Sequence, residues 1–433
     1  MLRYATVNPQ RRTRLIQALA LAFGAACGKL HASPAKDTTT PSGATNRPPT
    51  APPTSAAAEP PAALPLPAEP APLPANLAWK EASSLIVHNP HAIETRREAL
   101  GRQQITPTRC LFVRNNALPP PQRLLAQGAQ WPVAFAGVAQ PDAYTLAELQ
   151  AMPTRTVATV LQCAENGRGL QKRPAIGTPW QTGAAGCVIW TGVPLTTVVH
   201  ELGGVVPGSR FLTATGADSL PDGMASDFTR VERSVPLSAL EHALLAWKLN
   251  GEPIPEAHGG PLRLVLPGYA GINYIKYVRR IAFTRDESSA HIQTADFRVP
   301  LRAGQPQLTI AAWRLPVKSW ITTPLATDST ITAGTLQIQG VAMGGSSAVT
   351  RVEVSADDGH TWHQTQLTGT DLGPFAWRLF EISLPLAAGP VILACRATNA
   401  AGQQQPELTS DNTGYLVNGW REHLVKLNLA PVA

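Results

Sequence analysis

The chain contains the stretch Val160-Leu161-Gln162-Cys163-Ala164-Glu165-Asn166-Gly167-Arg168-Gly169-Leu170, around which the other patterns of the sequence are organised. The apolar, β-prone residues Thr156 to Leu161 predict a strand that ends in a small-residue turn. This turn carries one thiol, Cys163, and Arg168 follows it. A thiolate prefers soft metals, and a nearby guanidinium favours that anion and binds oxyanions bidentately. Cys163 is therefore a candidate metal ligand, although an isolated cysteine is more often a small buried hydrophobe.

Length and composition predict two folded domains and an extension, since the chain has 433 residues, 44% of them hydrophobic. The formal net charge is +7, but no Lys/Arg run is interleaved with aromatic residues, so we expect no nucleic-acid partner. The five cysteines are too few and too widely spaced for a disulfide framework or a four-cysteine zinc site. No Cys-x-x-Cys-His motif is present, so a c-type haem would belong to a partner.

The first 76 residues predict an export signal and a spacer. In residues 1–32, Arg11-Arg12 precede an apolar run that is too short for an ordinary membrane span. The arginine pair resembles a twin-arginine signal, with ordinary secretion as the alternative. Cys27 is a candidate lipid anchor or an inert signal-peptide cysteine. Residues 33–76 are rich in Pro and Ala and predict a disordered linker, so the expected location is the periplasm, free or membrane-tethered.

The remaining patterns predict helices around the thiol strand and a β-sandwich after it. Helical patterns run from Thr145 to Met152, from Leu195 to Leu202, and through the leucines between residues 240 and 249, where Asn250-Gly251 closes the last one. From about residue 320, short alternating segments such as Thr335 to Gln339 are separated by Gly, Asp and Ser turns, which is typical of a β-sandwich.

The Cys163 turn, the segment from Trp180 to Leu195 and the His258 to Arg263 motif together resemble the sulfite oxidase family of molybdopterin (molybdenum-cofactor) oxidoreductases, of the bacterial periplasmic sulfite dehydrogenase type. The resemblance extends over about residues 85 to 425. It implies an α+β fold with a mixed sulfite-oxidase-type catalytic domain at residues 77–315. An immunoglobulin-like dimerisation domain would follow at residues 316–433.

The resemblance also implies the site. Cys163 would be the protein's ligand to molybdenum, while Arg114, Arg168, Trp180 and Phe297 would surround the substrate. The residues implied to contact the molybdopterin are Phe112, Val113, Arg114, Asn115, Asn116, Asp218, His258, Arg263, Tyr274, Ile275 and Lys276. Independently of the family, His258, Arg263 and Lys276 are polar donors suited to a phosphate and a pterin edge.

Three positions depart from the family pattern. Asn116 stands where the family usually has histidine, Phe297 replaces the active-site tyrosine, and Thr413 stands where sulfite oxidases usually have another arginine. Loss of one charged donor from an oxyanion site typically costs about 1.5 to 3 kcal/mol. We therefore expect molybdenum chemistry to persist and efficient use of sulfite to be weakened.

The resemblance implies an oxidoreductase for a small sulfur substrate, with oxidation of sulfite to sulfate as the leading reaction. Electrons would pass to a separate cytochrome c, and the protein would form a homodimer or a heterodimer. The alternatives are a sulfane dehydrogenase or a sulfoxide-reductase-like enzyme of the same fold, and a non-catalytic tethered envelope binding protein.

Overall fold

The computed structural model describes residues 71–219, 231–302, 305–326 and 331–432. The predicted export signal, Cys27 and the linker as far as residue 70 lie outside these ranges. Within them, no helix has both the length and the apolar character needed to cross a membrane.

Strands dominate the described ranges, and every α-helix in them is short. The strands are β1 Leu85–Asn89, β2 Ala92–Thr95, β3 Val113–Arg114, β4 Pro132–Ala136, β5 Asp142–Thr145, β6 Arg155–Gln162, β7 Ala185–Pro194, β8 Phe211–Gly216, β9 Glu232–Pro236, β10 Leu244–Leu249, β11 Glu252–Pro253, β12 Arg263–Val265, β13 Val278–Thr284, β14 Arg298–Pro300, β15 Thr309–Ala311, β16 Lys318–Thr323, β17 Gly334–Met343, β18 Val349–Ser355, β19 His363–Gln364, β20 Gln366–Thr368, β21 Arg378–Leu386, β22 Gly389–Asn399 and β23 Val425–Leu429. The helices are α1 Gln122–Leu125, α2 Leu146–Gln150, α3 Leu195–Glu201 and α4 His291–Thr294. The fold is therefore mostly β, with less helix than an α+β label implies.

The strand predicted before the thiol is β6, at one edge of a sheet with the order β11-β10-β7-β6. It pairs antiparallel with β7, where Leu161 lies opposite Gly186. A second sheet has the order β5-β4-β13-β8-β9, in which only β13 and β4 run parallel. Buried residues of both sheets, such as Val188 and Ile281, belong to one apolar core. This core supports β6 and the turn that follows it.

Two of the three predicted helices are present. The first, α2, begins after Thr145, whose hydroxyl accepts a hydrogen bond from the Glu148 backbone N–H at 3.2 Å. The Glu148 carboxylate accepts one from the Thr145 N–H at 2.8 Å, which completes a capping box. The second helix, α3, begins at Leu195 directly after Pro194.

The helix predicted between residues 240 and 249 is wrong. Residues Leu237–Glu241 form one short 3₁₀ turn, and Leu244–Leu249 form β10. Strand β10 lies inside its sheet between neighbouring strands, so nearly all of its side chains are buried and its leucines do not alternate. Asn250 and Gly251 have φ values of 53° and 89° and form the two-residue turn into β11.

The C-terminal part contains two four-stranded sheets, with the orders β16-β17-β21-β20 and β19-β18-β22-β23. One apolar core takes residues from both sheets, including Ile338 and Leu393, so the two sheets form a sandwich as predicted. This part also reaches the thiol turn, because the Leu416 N–H donates to the Ala164 carbonyl at 2.7 Å.

Candidate functional site

Cys163 lines a cavity that contains about 590 Å³ of space between protein atoms, part of it open to solvent. Its walls come from β6, β12, the segment around β3, and loops from other parts of the chain. The lining residues are Phe112, Arg114, Asn115, Asn116, Leu161, Cys163, Asp218, Val231, Arg263, Gly271, Ile272, Tyr274, Ile275, Lys276 and Phe297.

Backbone hydrogen bonds fix the turn that carries the thiol. The Cys163 N–H donates to the Ala184 carbonyl at 2.9 Å, and the Asn166 side chain accepts from the Ala184 N–H at 3.1 Å. Gly167 has a φ of 99°, and a Cβ there would lie 3.0 Å from Val417. Glycine is therefore required at position 167 by both the backbone conformation and the nearby side chain of Val417.

The Cys163 thiol is 6% exposed, and its sulfur lies 3.9 Å from Oε2 of Glu165. Burial, together with the charge of Glu165, raises the pKa of this thiol to about 12, while Arg114 and Arg168 oppose the shift. The thiol is therefore a poor acid by itself, whereas a bound metal cation would replace its proton. This environment suits a metal ligand better than a free thiolate nucleophile.

Two cations shape the cavity wall. The Lys276 ammonium donates to the Arg114 carbonyl at 3.1 Å, to the Ala257 carbonyl at 2.6 Å and to the Asn115 side chain at 2.5 Å. Arg263 is buried, lies above the Trp190 ring at 5.4 Å and donates to the His258 carbonyl at 2.8 Å. Arg263 therefore holds its positive charge at a fixed position, whereas the donors of Lys276 already have protein acceptors, and burial lowers the pKa of Lys276 well below its ordinary value.

Two buried polar atoms near these cations have no hydrogen-bond partner within the described ranges: Asp218 Oδ2, on the cavity wall, and His258 Nε2. Burial raises the pKa of Asp218 to about 6, against the effect of Lys276. Burial, reinforced by Lys80 and Lys276, lowers the pKa of His258 well below its ordinary value, so its ring is neutral. Unpaired buried polar atoms are rare in folded proteins, and these two suit a ligand with hydrogen-bonding ring atoms.

The residues present therefore fit a molybdopterin cofactor. A soft sulfur donor, fixed cations for a phosphate, and unpaired polar atoms for a pterin edge surround one cavity. Of the implied cofactor contacts, the structure places Phe112, Arg114, Asn115, Asn116, Asp218, Arg263, Tyr274, Ile275 and Lys276 on the cavity wall. Leu161, Val231, Gly271 and Ile272 also line it, and no motif in the sequence indicated them.

Four implied site residues are not on that wall. Val113 packs with Leu77 in a separate small core, and His258 is buried beside the cavity. Trp180 is fully buried. The three guanidinium nitrogens of Arg168 contact the Gly414 carbonyl, the Ile176 carbonyl and the Glu165 carboxylate at 3.4, 3.2 and 2.9 Å.

Glu165 connects three of the residues that the resemblance assigned to the substrate, and no sequence pattern indicated it. Its Oε1 pairs with Arg168, while its Oε2 accepts from the Trp180 indole N–H at 3.1 Å and lies 3.5 Å from Arg114 Nε. The carboxylate is 6% exposed. Arg168 is only three residues away, but Trp180 and Arg114 lie 15 and 51 residues from Glu165, so no local motif could indicate the whole arrangement.

The departures from the family pattern occupy different places. Phe297 lines the cavity and packs against the Tyr415 ring at 5.1 Å. Its φ of 51° is unusual for a bulky residue. Asn116 also lines the cavity, whereas Thr413 does not, and its hydroxyl donates to Asp411 at 2.6 Å.

Comparison with known proteins gives concordant matches. The oxidoreductase molybdopterin binding domain matches residues 118–292, and the Mo-co oxidoreductase dimerisation domain matches residues 309–428. Human mitochondrial sulfite oxidase is 32% identical over 363 residues, which cover 79% of this chain and 65% of the human protein. Sulfite oxidase of Gallus gallus is 31% identical over 334 residues, which cover 73% of this chain and 72% of that protein.

A plant enzyme and a solved structure extend the comparison. Inducible nitrate reductase [NADH] 2 of Glycine max is 32% identical over 73% of this chain and 38% of its own length. The crystal structure of the sulfane dehydrogenase SoxCD from Paracoccus pantotrophus has a TM-score of 0.66 at 27% identity, covering 79% of this chain and 87% of that chain. The chain spans 65% of the length of the mammalian sulfite oxidases it matches. Together with the cavity around Cys163, these matches show that the chain belongs to the sulfite oxidase family of molybdopterin oxidoreductases.

Proposed function

We propose that this protein is a molybdenum-dependent oxidoreductase for a small sulfur oxyanion, with sulfite as the leading substrate. The observation that carries the proposal is the Cys163 thiol on the wall of a cavity lined by Arg114, Arg263 and Lys276. The reaction is SO₃²⁻ + H₂O → SO₄²⁻ + 2H⁺ + 2e⁻. When bound, the molybdenum cofactor supplies the two-electron oxidation and the exchange of oxygen with water.

The chain's own residues hold and orient the reactants. Cys163 is the proposed metal ligand, and Arg263 and Lys276 are the proposed cations for the cofactor's phosphate. Arg114 is the proposed substrate contact, because its side chain is 25% exposed and lines the cavity. The Phe297 ring borders the cavity and excludes water from one side without donating a hydrogen bond.

The electron acceptor, the assembly and the location are parts of the same proposal. The sequence has no Cys-x-x-Cys-His motif, so we assign the haem to a separate cytochrome c that accepts electrons one at a time. The match to the dimerisation domain over residues 309–428 supports a dimer through an immunoglobulin-like C-terminal sandwich. The arginine pair and the apolar run within residues 1–32 support export to the periplasm.

The second candidate is sulfane dehydrogenation. It is favoured by the likeness to the SoxCD sulfane dehydrogenase, and by Phe297, which removes a hydroxyl from the cavity wall. A larger sulfur compound would bind more tightly through contact with the apolar ring, and the missing hydrogen bond would lower its affinity less than it lowers the affinity for sulfite.

An acceptor-linked activity screen tests the proposal. The full chain is purified from a molybdate-fed host, and its molybdenum is quantified. Sulfite and thiosulfate are assayed as electron donors with an oxidised dye or cytochrome c, and dimethyl sulfoxide is assayed as an electron acceptor with a reduced dye. The proposal predicts about one molybdenum per chain and sulfite-dependent reduction of the acceptor, with a high KM. Folded protein with neither metal nor turnover would refute it and would favour a binding protein.

A further inference from the structure

Glu165 has no role in the proposed function, yet it contacts the groups assigned to the substrate. Its carboxylate lies 2.9 Å from Arg168 Nη2 and 3.5 Å from Arg114 Nε. The Trp180 indole holds it in place through a hydrogen bond of 3.1 Å. The carboxylate is buried behind the cavity wall, so water screens its charge weakly.

The first consequence is that both arginines already contact a carboxylate within the protein. Arg168 is 3% exposed, and each of its guanidinium nitrogens already has an acceptor. Arg114 is the partly exposed member of the pair, and its Nε points to Glu165. A bound oxyanion that used both guanidinium groups would have to replace the Glu165 carboxylate or share the arginines with it.

The second consequence concerns charge near the thiol. Glu165 Oε2 lies 3.9 Å from the Cys163 sulfur, so a negative charge is fixed beside the atom proposed to hold the metal. Two guanidinium groups and one carboxylate leave one net positive charge instead of two. Like charges repel strongly in a weakly screened site, so the Glu165 carboxylate lowers the affinity for a dianion more than the affinity for an uncharged ligand.

We propose that Glu165 is a specificity-determining internal counter-ion, which lowers the affinity of this pocket for dianionic sulfur oxyanions relative to uncharged sulfur–oxygen compounds such as sulfoxides. This inference rests on the proposed function, since it concerns the substrate end of the same cavity. The discrimination between charged and uncharged ligands would come from Glu165, which contacts Arg114 and Arg168, and would be independent of the changes at Phe297 and Thr413.

The test compares wild-type holoprotein with Glu165→Gln, which keeps the size of the side chain and an oxygen acceptor for Trp180. Isothermal titration calorimetry measures the binding of sulfate, a dianion that is not oxidised. One charged hydrogen bond corresponds to roughly tenfold to a hundredfold in affinity. We expect sulfate to bind at least about tenfold more tightly to Glu165→Gln, with dimethyl sulfoxide affinity within about twofold of wild type. The KM for sulfite should fall by a similar factor with a smaller change in kcat.

The matched control is Glu353→Gln, because Glu353 pairs with Arg396 and Arg351 in the C-terminal sandwich, away from the cavity. It should bind sulfate as wild type does. Unchanged or weaker sulfate binding by Glu165→Gln would overturn the inference, because Glu165 would then only position the arginines. If the variant does not fold, the dissociation constant of wild type for sulfate decides the question: a value above about 1 mM would support the inference, and a lower value would overturn it.

The two proposals fail in different ways. Absence of molybdenum and of turnover with every sulfur substrate overturns the proposed function. Sulfate binding needs only the folded pocket, so it reports on Glu165 without catalysis.

Discussion

The Lys318→Met substitution tests a buried lysine that connects the C-terminal sandwich to the turn after Cys163 through a hydrogen bond. Lys318 opens β16, is fully buried, and donates from its ammonium to the Asn166 carbonyl at 3.1 Å. Asn166 belongs to the turn after Cys163. Burial lowers the pKa of Lys318 from 10.5 to about 7, against the weaker opposing effects of Glu422 and Glu94.

The sign of the pH dependence follows from this lowered pKa. Between about pH 7 and pH 10 the unfolded chain binds one proton more at Lys318 than the folded chain does. The free energy of unfolding of the wild type should therefore rise with pH across this interval. One proton corresponds to about 1.4 kcal/mol per pH unit. Below about pH 7 both states carry the charge, and the contribution is constant.

Lys318→Met removes this proton and should lower the slope of unfolding free energy against pH by about 1.4 kcal/mol per unit. Near pH 7 the loss of a buried charge stabilises the folded variant, whereas the loss of the hydrogen bond to Asn166 lowers its free energy of unfolding by about 1 kcal/mol. Urea unfolding at pH 7.5, 8.5 and 9.5, followed by tryptophan fluorescence, measures the slope. Lys426→Met, at an exposed position of β23, is the control. Equal slopes in all three proteins would show that folding does not lower the pKa of Lys318.

Three further substitutions test the cavity and its support. Lys276→Met leaves three oxygen acceptors without their shared donor, so we expect a loss of about 2 to 4 kcal/mol in urea unfolding and less molybdenum retained after dialysis. Gly183→Ala would place a Cβ 1.6 Å from the Thr95 carbonyl oxygen, so thermal unfolding should show a loss above about 3 kcal/mol, and a wild-type melting temperature would contradict this. Phe297→Tyr returns a hydroxyl to the cavity wall and should lower the KM for sulfite by up to about tenfold; an unchanged or higher KM would argue against sulfite as the substrate.

Local sequence patterns correctly predicted the strand before Cys163 and the two helices that have a start signal. The apolar approach to Cys163 forms β6, and the signals at Thr145 and Pro194 mark true helix starts. The leucines between residues 240 and 249 misled because an interior strand buries both faces, and its apolar run has no period of two. Only the position of that run between neighbouring strands distinguishes it from a buried helix.

The candidate site was predictable where a motif carried it and unpredictable where distant residues combine. The family resemblance implied that Arg114, Arg263 and Lys276 lie near Cys163, and the structure places all four on the wall of one cavity. It did not indicate Glu165, because Arg114 and Trp180 reach that carboxylate only in the folded chain. Trp180 illustrates the same limit, since its indole contacts Glu165 and does not lie on the cavity wall.

The proposed function depends on a bond between the Cys163 sulfur and molybdenum, and X-ray absorption at the molybdenum K-edge measures that bond directly. Wild-type holoprotein, Cys163→Ser and the control Cys187→Ser, which changes a buried thiol outside the cavity, would be compared at equal metal content. We expect one fewer sulfur neighbour of molybdenum in Cys163→Ser only. An identical sulfur count in all three proteins, or the absence of molybdenum from folded wild type, would contradict it.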